Sequence, residues 1–232
     1  MDDMDFYEWE AMKNRSPLSK FIHYLIKAVV ALIIIGTFAM IFGRIQLMKL
    51  PKSFKGITLT DAIQTSIDSE NFDAVSHEPY TNYDEEGWYN VSNVAMSESA
   101  GEVQLTVRYN SRSTINTLMQ KYELTERPAG EVFIYILADN KGNTYTNYTF
   151  AASSRPLYEF RRVIFTGVDL TDIDKLYLRV YYIGDVSGEG LMNASFEIYN
   201  SEYPSDAFSP KEVKPTKLTF STAPEYSANF NN

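Results

Sequence analysis

The chain has 232 residues, a hydrophobic content of 44% and a net charge of -9. This length accommodates one domain of medium size together with an anchor or linker. The complete lack of cysteine excludes disulfides, thiolate catalysis, cysteine-ligated zinc and iron–sulfur clusters.

The charged residues are unevenly distributed along the chain. Residues 56–232 carry 25 acidic and 13 basic side chains, whereas residues 21–55 carry five basic side chains and no acidic one. An acidic main domain argues against nucleic-acid binding, because phosphates require a basic surface. The basic side chains beside an apolar run favour contact with anionic lipid headgroups instead. We therefore predict the lipid bilayer as one partner and no nucleic acid.

Residues 1–20 are predicted to form a cytoplasmic acidic head, and the apolar run FIHYLIKAVVALIIIGTFAMIFG follows at 21–43. A helix of roughly 20 apolar residues crosses a bilayer, so this run predicts a transmembrane helix. It is apolar on all sides, which disfavours a buried helix in a soluble core. The next residues, FGRIQLMKLP, lack the small residues that a signal peptidase recognises. We therefore predict an uncleaved signal-anchor.

The orientation of this helix is not decided by charge, because four basic residues flank it on each side. The C-terminal region is rich in Tyr, Asn, Ser and Thr, which is typical of extracytoplasmic β-domains. On that ground we predict a single-pass protein of the cell membrane, with a cytoplasmic N-terminus and an extracytoplasmic C-terminal domain.

Residues 44–70 are predicted to form a juxtamembrane linker and a short amphipathic helix from about Thr60 to Ser69. Thr58 or Thr60 is the candidate N-cap of this helix. It leans either on the domain or on the membrane surface. The apolar residues spaced along one of its faces are Leu59, Ile63 and Ile67.

From residue 71 to residue 203 the hydrophobic period changes to two, which indicates β-strands. One amphipathic helix interrupts them at STINTLMQKYEL, where Ser113 is the candidate N-cap and Pro128 the stop. The predicted strands and hairpin are WYNVSNVAM, EVQLTVRY, EVFIYILADNKGNTYTNYTF, LYEFRRVIFTG, KLYLRVYYIG and LMNASFEIYN.

The arm EVFIYIL of the hairpin is apolar on both faces and must be covered twice. We expect the opposite sheet to cover one face and the preceding helix to cover the other. The turn at 139–143 contains Asp, Asn and Gly, which tolerate left-handed backbone. Arg161 and Arg162 project to opposite faces of their strand, so one of them is expected to be buried against an acid.

The predicted fold class is mainly β: an antiparallel immunoglobulin-like sandwich at 71–203 with one packed α-helix, preceded by a single transmembrane helix. The tail at 204–232 contains four prolines and is predicted to be loop, with KLTF as the candidate for one last strand.

The runs LADNKGNTYTNYTF and YEFRRVIFTGVDLTDIDKLYLRVYY resemble segments of bacterial membrane-anchored or secreted domains of the immunoglobulin-like β-sandwich type. The resemblance covers about residues 100–200. Those domains carry no motif with an assigned catalytic role. The resemblance therefore implies a location and a fold, and no functional residue.

Catalytic motifs are lacking in the sequence. Of its two histidines, His23 lies in the apolar run and His77 in the segment SHEPY, which we expect to be a solvated loop. There is no G-x-S-x-G, phosphate-binding loop or H-E-x-x-H. The acidic runs DLTDID and YDEEG do not match an EF-hand loop. We therefore predict no enzymatic activity, no metal and no cofactor.

A binding surface is the more promising feature. On the strand KLYLRVYYIG, alternate residues fill the core and the others form an exposed row that continues onto the next strand. Tyr and Arg are enriched at binding hot spots, whereas cross-strand pairing that only stabilises the sheet is the alternative. The candidate binding residues are Tyr177, Arg179, Tyr181 and Tyr199.

These features predict a membrane-anchored, non-catalytic binding or scaffolding module that meets a protein or cell-envelope partner outside the membrane. The alternative is a glycan-binding accessory or a small hydrolase of the cell envelope. Association within the bilayer is ranked lower, because Gly36 and Gly43 are too far apart for a G-x-x-x-G motif.

Overall fold

The computed structural model describes residues 16–84, 87–128, 130–184, 192–213, 215 and 217–224. The chain divides into two compact units, Met1–Lys49 and Leu50–Asn232. Most of the predicted acidic head, residues 1–15, lies outside the described residues.

The first unit contains the apolar helix α1, Pro17–Met48, in which no residue is buried. Ser16 caps it by accepting a hydrogen bond from the backbone N–H of Ser19 at 3.3 Å. The helix is longer than the predicted span 21–43, because no proline occurs between Pro17 and Pro51. At 1.5 Å per residue its 32 residues extend about 48 Å. By length and composition α1 is compatible with a membrane anchor or a signal sequence.

The second unit consists mostly of antiparallel strands. Its helices are α2 Asp61–Asp68 and α3 Ser113–Lys121, with single 3₁₀ turns at Lys52–Phe54 and Pro210–Glu212. Its strands are β1 Val75–His77, β2 Tyr89–Ser97, β3 Glu102–Asn110, β4 Phe133–Asp139, β5 Thr144–Tyr145, β6 Tyr148–Arg155, β7 Tyr158–Thr166, β8 Lys175–Tyr182, β9 Met192–Asn200, β10 Asp206–Ala207 and β11 Ser221–Thr222.

These strands form two sheets with the orders β10-β1-β2-β3-β7-β6-β11 and β5-β4-β8-β9. Within β2 to β9 the chain passes from one sheet to the other three times, between β3 and β4, β5 and β6, and β7 and β8. It returns to the larger sheet between β9 and β10. Alternate residues of both sheets bury their side chains in one hydrophobic cluster, so the two sheets share a core. Its members include Val91, Val103, Leu105, Val107, Phe133, Tyr135, Val163, Phe165, Leu176, Leu178, Val180, Phe196 and Ile198.

The predicted helix at 60–69 is confirmed as α2, and it packs on the domain. The side chain of Thr60 caps it by accepting a hydrogen bond from the backbone N–H of Ile63 at 3.2 Å. Ile63 is fully buried in a second apolar cluster with Ile57, Ala74 and Ala95. Because Ala95 belongs to β2, this cluster fixes the linker to the seven-stranded sheet.

Arg162 on β7 holds the linker in place and is fully buried. Its guanidinium donates to the carbonyl oxygens of Asn93 at 2.9 Å and Gly56 at 2.8 Å, and to Gln104 Oε1 at 2.9 Å. Burial lowers the pKa of Arg162 to about 9, so the side chain stays charged in neutral solution. Within the described residues the acceptors of its hydrogen bonds are carbonyl and hydroxyl oxygens, so neutral dipoles stabilise this charge.

Two amide side chains complete this attachment of the linker to the sheet. Asn93 accepts from the backbone N–H of Gly56 and donates to its carbonyl, both at 2.8 Å. Gln104 accepts from the N–H of Thr58 at 2.8 Å and donates to its carbonyl at 3.0 Å. Each amide thus pairs with one linker residue as a neighbouring strand would.

Arg161 confirms the expectation that one of the two arginines is buried against an acid. Its Nε donates to Glu131 at 2.5 Å and one of its terminal nitrogens donates to Glu159 at 3.2 Å. The other terminal nitrogen donates to the hydroxyl of Tyr109 at 3.1 Å. Arg161 therefore faces the shared core, whereas Arg162 faces the linker.

Two predictions about α3 were wrong. Ile115 and Leu118 pack into the shared core, whereas Ile134 and Ile136 form a separate cluster with Tyr181, so α3 does not cover the outer face of β4. Ser113 also does not cap α3. Asn110 Oδ1 accepts from the backbone N–H of Ser113 at 2.9 Å, because an asparagine three residues upstream reaches this position.

The predicted hairpin turn is confirmed, but its second arm divides between the sheets. Gly142 adopts a φ of +89° in the turn, and Asp139 Oδ1 accepts from the backbone N–H of Asn143 at 2.8 Å. The two-residue strand β5 pairs with β4, and β6 then pairs with β7 in the other sheet.

The tail contributes more to the β-domain than predicted. β10 pairs with β1, and β11 pairs with β6. KLTF at 217–220 is not a strand, because the pairing begins one residue later at Ser221. Strands of two residues are too short to show an alternating pattern in the sequence.

Candidate functional site

The four residues of the predicted binding row do not lie together on one exposed face. Tyr177 and Arg179 are half-buried, whereas Tyr181 is only 3% exposed. Tyr181 pairs across the strands with Ile134 of β4 and packs in the outer apolar cluster. Strand β4 is apolar on both faces and therefore supplies the neighbours that bury this ring. The sequence of β8 by itself does not reveal these neighbours.

Tyr199 lies on the opposite face from the predicted row. A β-bulge places Tyr199 opposite Leu176 and Glu197 opposite Tyr177, with Ile198 as the extra residue. Directly paired residues project to the same face, so Tyr199 turns toward the shared core, against which it packs. The prediction that it extends the outer row was wrong because the bulge interrupts the alternation.

His77 is buried rather than solvated, which corrects the expectation from its loop-like sequence. It is the last residue of β1 and is 4% exposed. Its ring meets the ring of Tyr199 edge-on at 5.2 Å, and its Nδ1 lies 3.2 Å from the hydroxyl of Ser205. Its Nε2 has no hydrogen-bond partner within the described part of the chain.

Burial lowers the pKa of His77, although the negative charge of Glu78 acts in the opposite direction. The unfolded chain therefore binds a proton at about pH 6.5 that the folded protein takes up only at lower pH. The stability contributed by neutral His77 is complete above that pH and is lost as the pH falls.

The titration of His77 should make the free energy of unfolding depend on pH. Replacing His77 by Asn preserves an acceptor or donor for Ser205 but removes the titration. Between pH 7 and pH 5 the free energy of unfolding of the wild type should fall relative to that of His77→Asn, by at most about 1.4 kcal/mol per pH unit. Urea titrations at several pH values measure this difference. Parallel curves for the two proteins would show that His77 titrates alike in the folded and unfolded chains.

Next to His77, two exposed tyrosines form the most conspicuous surface feature. Tyr80 is 62% exposed and Tyr203 is 42% exposed, and their rings stack at 5.3 Å with an interplanar angle of 28°. They line a cleft of about 690 Å³, which we call the tyrosine cleft. Single exposed apolar residues are common on soluble domains, and tyrosine is one of the residue types enriched at binding hot spots.

The pairing of β1 with β10 explains why these two rings meet. Val75 pairs with Ala207 and Ser76 with Asp206 in antiparallel register. The chain leaving β1 and the chain entering β10 therefore lie at the same end of the pair. Continuing the register brings residue 80 opposite residue 202, so the tyrosines become neighbours. Pro79 and Pro204 limit the backbone freedom of the two segments.

Polar groups surround the aromatic pair. Besides His77, the cleft is lined by the side chains of Glu78, Asp206 and Asn93. The Asn93 side chain is already hydrogen-bonded to Gly56 of the linker. The acidic side chains at this cleft are Glu78 and Asp206. A concave surface with aromatic rings and a few polar groups suits a ligand that has both apolar faces and hydrogen-bonding groups.

The sequence contained a signal for the tyrosine cleft that periodicity does not detect. The segments EPY at 78–80 and EYP at 202–204 both place a tyrosine next to a proline. Their tyrosines, Tyr80 and Tyr203, lie 123 residues apart in the sequence, and only the strand register brings them together.

The described residues include no group of three or more His, Cys, Asp or Glu side chains placed to hold a metal ion. Of the acidic run YDEEG, Glu85 and Glu86 lie outside the described residues. Asp84 accepts from the backbone N–H of Tyr89 at 2.8 Å, and burial raises its pKa. In the run DLTDID, Asp174 accepts from the side chain of Asn140 at 3.2 Å and Asp169 from the backbone N–H of Thr171 at 3.1 Å, as in ordinary turns.

Comparison with protein-family models, with curated proteins and with solved structures gave no match to this chain. The function must therefore be argued from the geometry of the chain itself.

Proposed function

We propose that this protein is a membrane-anchored, non-catalytic binding module whose β-domain lies outside the cytoplasm on a single-pass anchor, α1. The anchor is supported by 32 helical residues with no buried side chain and a mean hydropathy of 2.6 over their most apolar window. The placement outside the cytoplasm is supported by the composition of the domain, which is rich in Tyr, Asn, Ser and Thr.

We further propose that the β-domain is an immunoglobulin-like sandwich. In that fold, strands A-B-E-D form one sheet and C-F-G the other, and additional strands flank C. The inner strands β2-β3-β7-β6 and β5-β4-β8-β9 follow the same order with β5 beside the C position. The three passages between the sheets also occur at the corresponding points of the chain. β1, β10 and β11 are then additions at the edges of the larger sheet.

The tyrosine cleft is the observation that carries the binding function. Tyr80 and Tyr203 are already ordered against each other, so a partner that covers them loses little side-chain entropy on binding. A protein or cell-envelope component outside the cytoplasm is the partner that this location implies. Tyr177 and Arg179, the remaining residues of the predicted row, are secondary candidates because both are half-buried.

Surface cross-linking on intact cells tests this proposal. A membrane-impermeant cross-linker should join the wild type to its partner, and Tyr80→Ala with Tyr203→Ala should reduce the yield at least tenfold, as expected for two hot-spot residues. Tyr83→Ala is the matched control, because Tyr83 is 47% exposed and does not line the tyrosine cleft. Equal yields from all three proteins would refute the role of the cleft. If the cross-linker reacts with the protein only after cell lysis, the proposed placement of the β-domain outside the cytoplasm is refuted.

A glycan is the second candidate partner, favoured by one observation. The stacked rings lie beside two carboxylates, and a sugar presents an apolar face to a ring and hydroxyl groups to acceptors. If the partner is a glycan, isolated envelope polysaccharide should retain the wild type but not the Tyr80→Ala, Tyr203→Ala variant in the same assay.

A further inference from the structure

A second cavity, distinct in chemistry from the tyrosine cleft, is lined by lysines. It measures about 600 Å³ and is bordered on one side by the linker and on the other by the tail. We call it the lysine pocket. Its basic residues are Lys52, Lys55, Lys211 and Lys217.

The four lysines come from distant parts of the chain. Two lie in the linker and two in the tail, so the fold and not a local charge run brings them together. Lys211 and Lys217 belong to residues 56–232, where acidic side chains outnumber basic ones by 25 to 13, and the fold brings Lys52 and Lys55 from the basic segment 21–55 beside them. Concentrating four cations there raises the local potential against the charge of the rest of the domain.

Within the described residues the lysine pocket carries a net positive charge, because its four lysines outnumber its one acidic side chain, Glu212. None of the four lysines forms an ion pair there. Glu212 also lines the pocket, but one of its carboxylate oxygens accepts from the backbone N–H of Ser209 at 2.6 Å in a capping box. All four lysine side chains are exposed, so each ammonium group retains its three donors for a ligand.

The linker wall of the lysine pocket is held against the sheet by hydrogen bonds. Gly56 and Thr58 line it, and Arg162, Asn93 and Gln104 bind their backbone from the sheet. Lys52 begins a 3₁₀ turn whose last residue, Phe54, is 1% exposed and so anchors the turn. Phe208 and Pro215 add apolar surface. The linker side of the pocket is therefore formed before a ligand arrives, which lowers the entropic cost of binding.

We propose that the lysine pocket binds a phosphate-bearing anion. Lysine ammonium groups are strong point charges for phosphate oxygens, and the apolar wall suits a carbon substituent on the phosphate. Two sources supply this chemistry, a phospholipid headgroup or a soluble phosphate. The lipid source rests on the proposed anchor: Lys52 is four residues beyond the end of α1, a chain length that spans at most about 14 Å.

The test uses the full chain in phospholipid nanodiscs and follows its thermal unfolding. One set of discs contains phosphatidylcholine only and the other contains phosphatidylglycerol as well. Inorganic phosphate is added to the first set as the soluble probe. Three proteins are compared: the wild type, a variant with all four pocket lysines changed to Gln, and a control in which Arg112, Lys121, Lys141 and Lys175 are changed to Gln. The control removes the same charge from outside the pocket.

We expect phosphatidylglycerol to raise the Tm of the wild type and the control by roughly 2–4 °C, the shift for a ligand at about five times its Kd on a domain of this size. The pocket variant should show no such rise, and Lys→Arg at the same four positions should restore it. A rise with inorganic phosphate alone, absent in the pocket variant, assigns the site to a soluble anion.

Two results would overturn the proposal: no shift of the wild type with either probe, or equal shifts for the wild type and the pocket variant. If the fourfold variant does not fold, two double variants replace it in the test. One is Lys52→Gln with Lys55→Gln, and the other is Lys211→Gln with Lys217→Gln. Each should lose most of the rise in Tm. Cross-linking at the tyrosine cleft is independent of these lysines, so failure here leaves the proposed binding function standing.

Discussion

Replacing Arg162 by Met should lower the free energy of unfolding by about 3 kcal/mol. The substitution removes charge-assisted hydrogen bonds to Gly56, Asn93 and Gln104 in a fully buried site. Hydrogen bonds to a charged group contribute about 1.5–3 kcal/mol each, and the removal of a buried charge offsets part of their loss. The remaining deficit comes from carbonyl groups left without their donor.

Urea denaturation of the two proteins measures this loss, and Arg112→Met is the matched control. Arg112 is exposed and its side chain forms no hydrogen bond within the described residues, so its replacement should change stability by less than about 0.5 kcal/mol. Trypsin supplies a local readout, because a linker released from the sheet should be cut faster at Lys52 and Lys55. If Arg162→Met behaves like the control in both assays, the linker is held by its apolar contacts alone.

Placing two arginines at the centre of α1 should release the protein from the membrane. Ile33 and Ile34 lie at the midpoint of the helix, and both are exposed. An arginine at the centre of a transmembrane helix costs about 2.5–3.5 kcal/mol on insertion scales, so the double substitution costs about 5–7 kcal/mol. Neither side chain is near enough to a helix end to reach the headgroups easily. Ile33→Leu with Ile34→Leu is the control and should remain inserted.

The long strands were predictable because apolar and polar residues alternate along most of them. Strands β2, β3, β7, β8 and β9 all begin and end within two residues of the predicted segments. Each is eight or nine residues long, and alternation over that length is hard to confuse with a helix. The helix α2 was also predictable, because its threonine cap and the helical spacing of its apolar residues indicate the same start of the helix.

The candidate site was not predictable to the same extent, because it depends on contacts between distant segments. The burial of Tyr181 follows from its cross-strand neighbour Ile134, and the direction of Tyr199 follows from a bulge. β1 and β10 are three and two residues long, too short for periodicity, yet their pairing creates the tyrosine cleft. The lysine pocket likewise joins residues about 160 positions apart. Local patterns carry no information on such pairings.

The burial of Arg162 also could not be predicted from local sequence patterns. In the sequence it is one of two adjacent charged residues, which are mostly exposed in proteins. In the structure it is fully buried, and its partners are backbone carbonyls and an amide, groups that every sequence contains. Nothing in residue type distinguishes these acceptors from any others, so only the fold identifies them.

The most direct test of the central claim, that α1 anchors a binding domain to the membrane, is extraction of isolated membranes with alkaline carbonate. We expect the wild type and the Leu control to stay in the membrane pellet at full length, whereas Ile33→Arg with Ile34→Arg should move to the supernatant. A wild-type protein that appears in the supernatant without its N-terminal segment would show that α1 is a cleaved signal sequence. That result would contradict the anchor and the lipid source proposed for the lysine pocket.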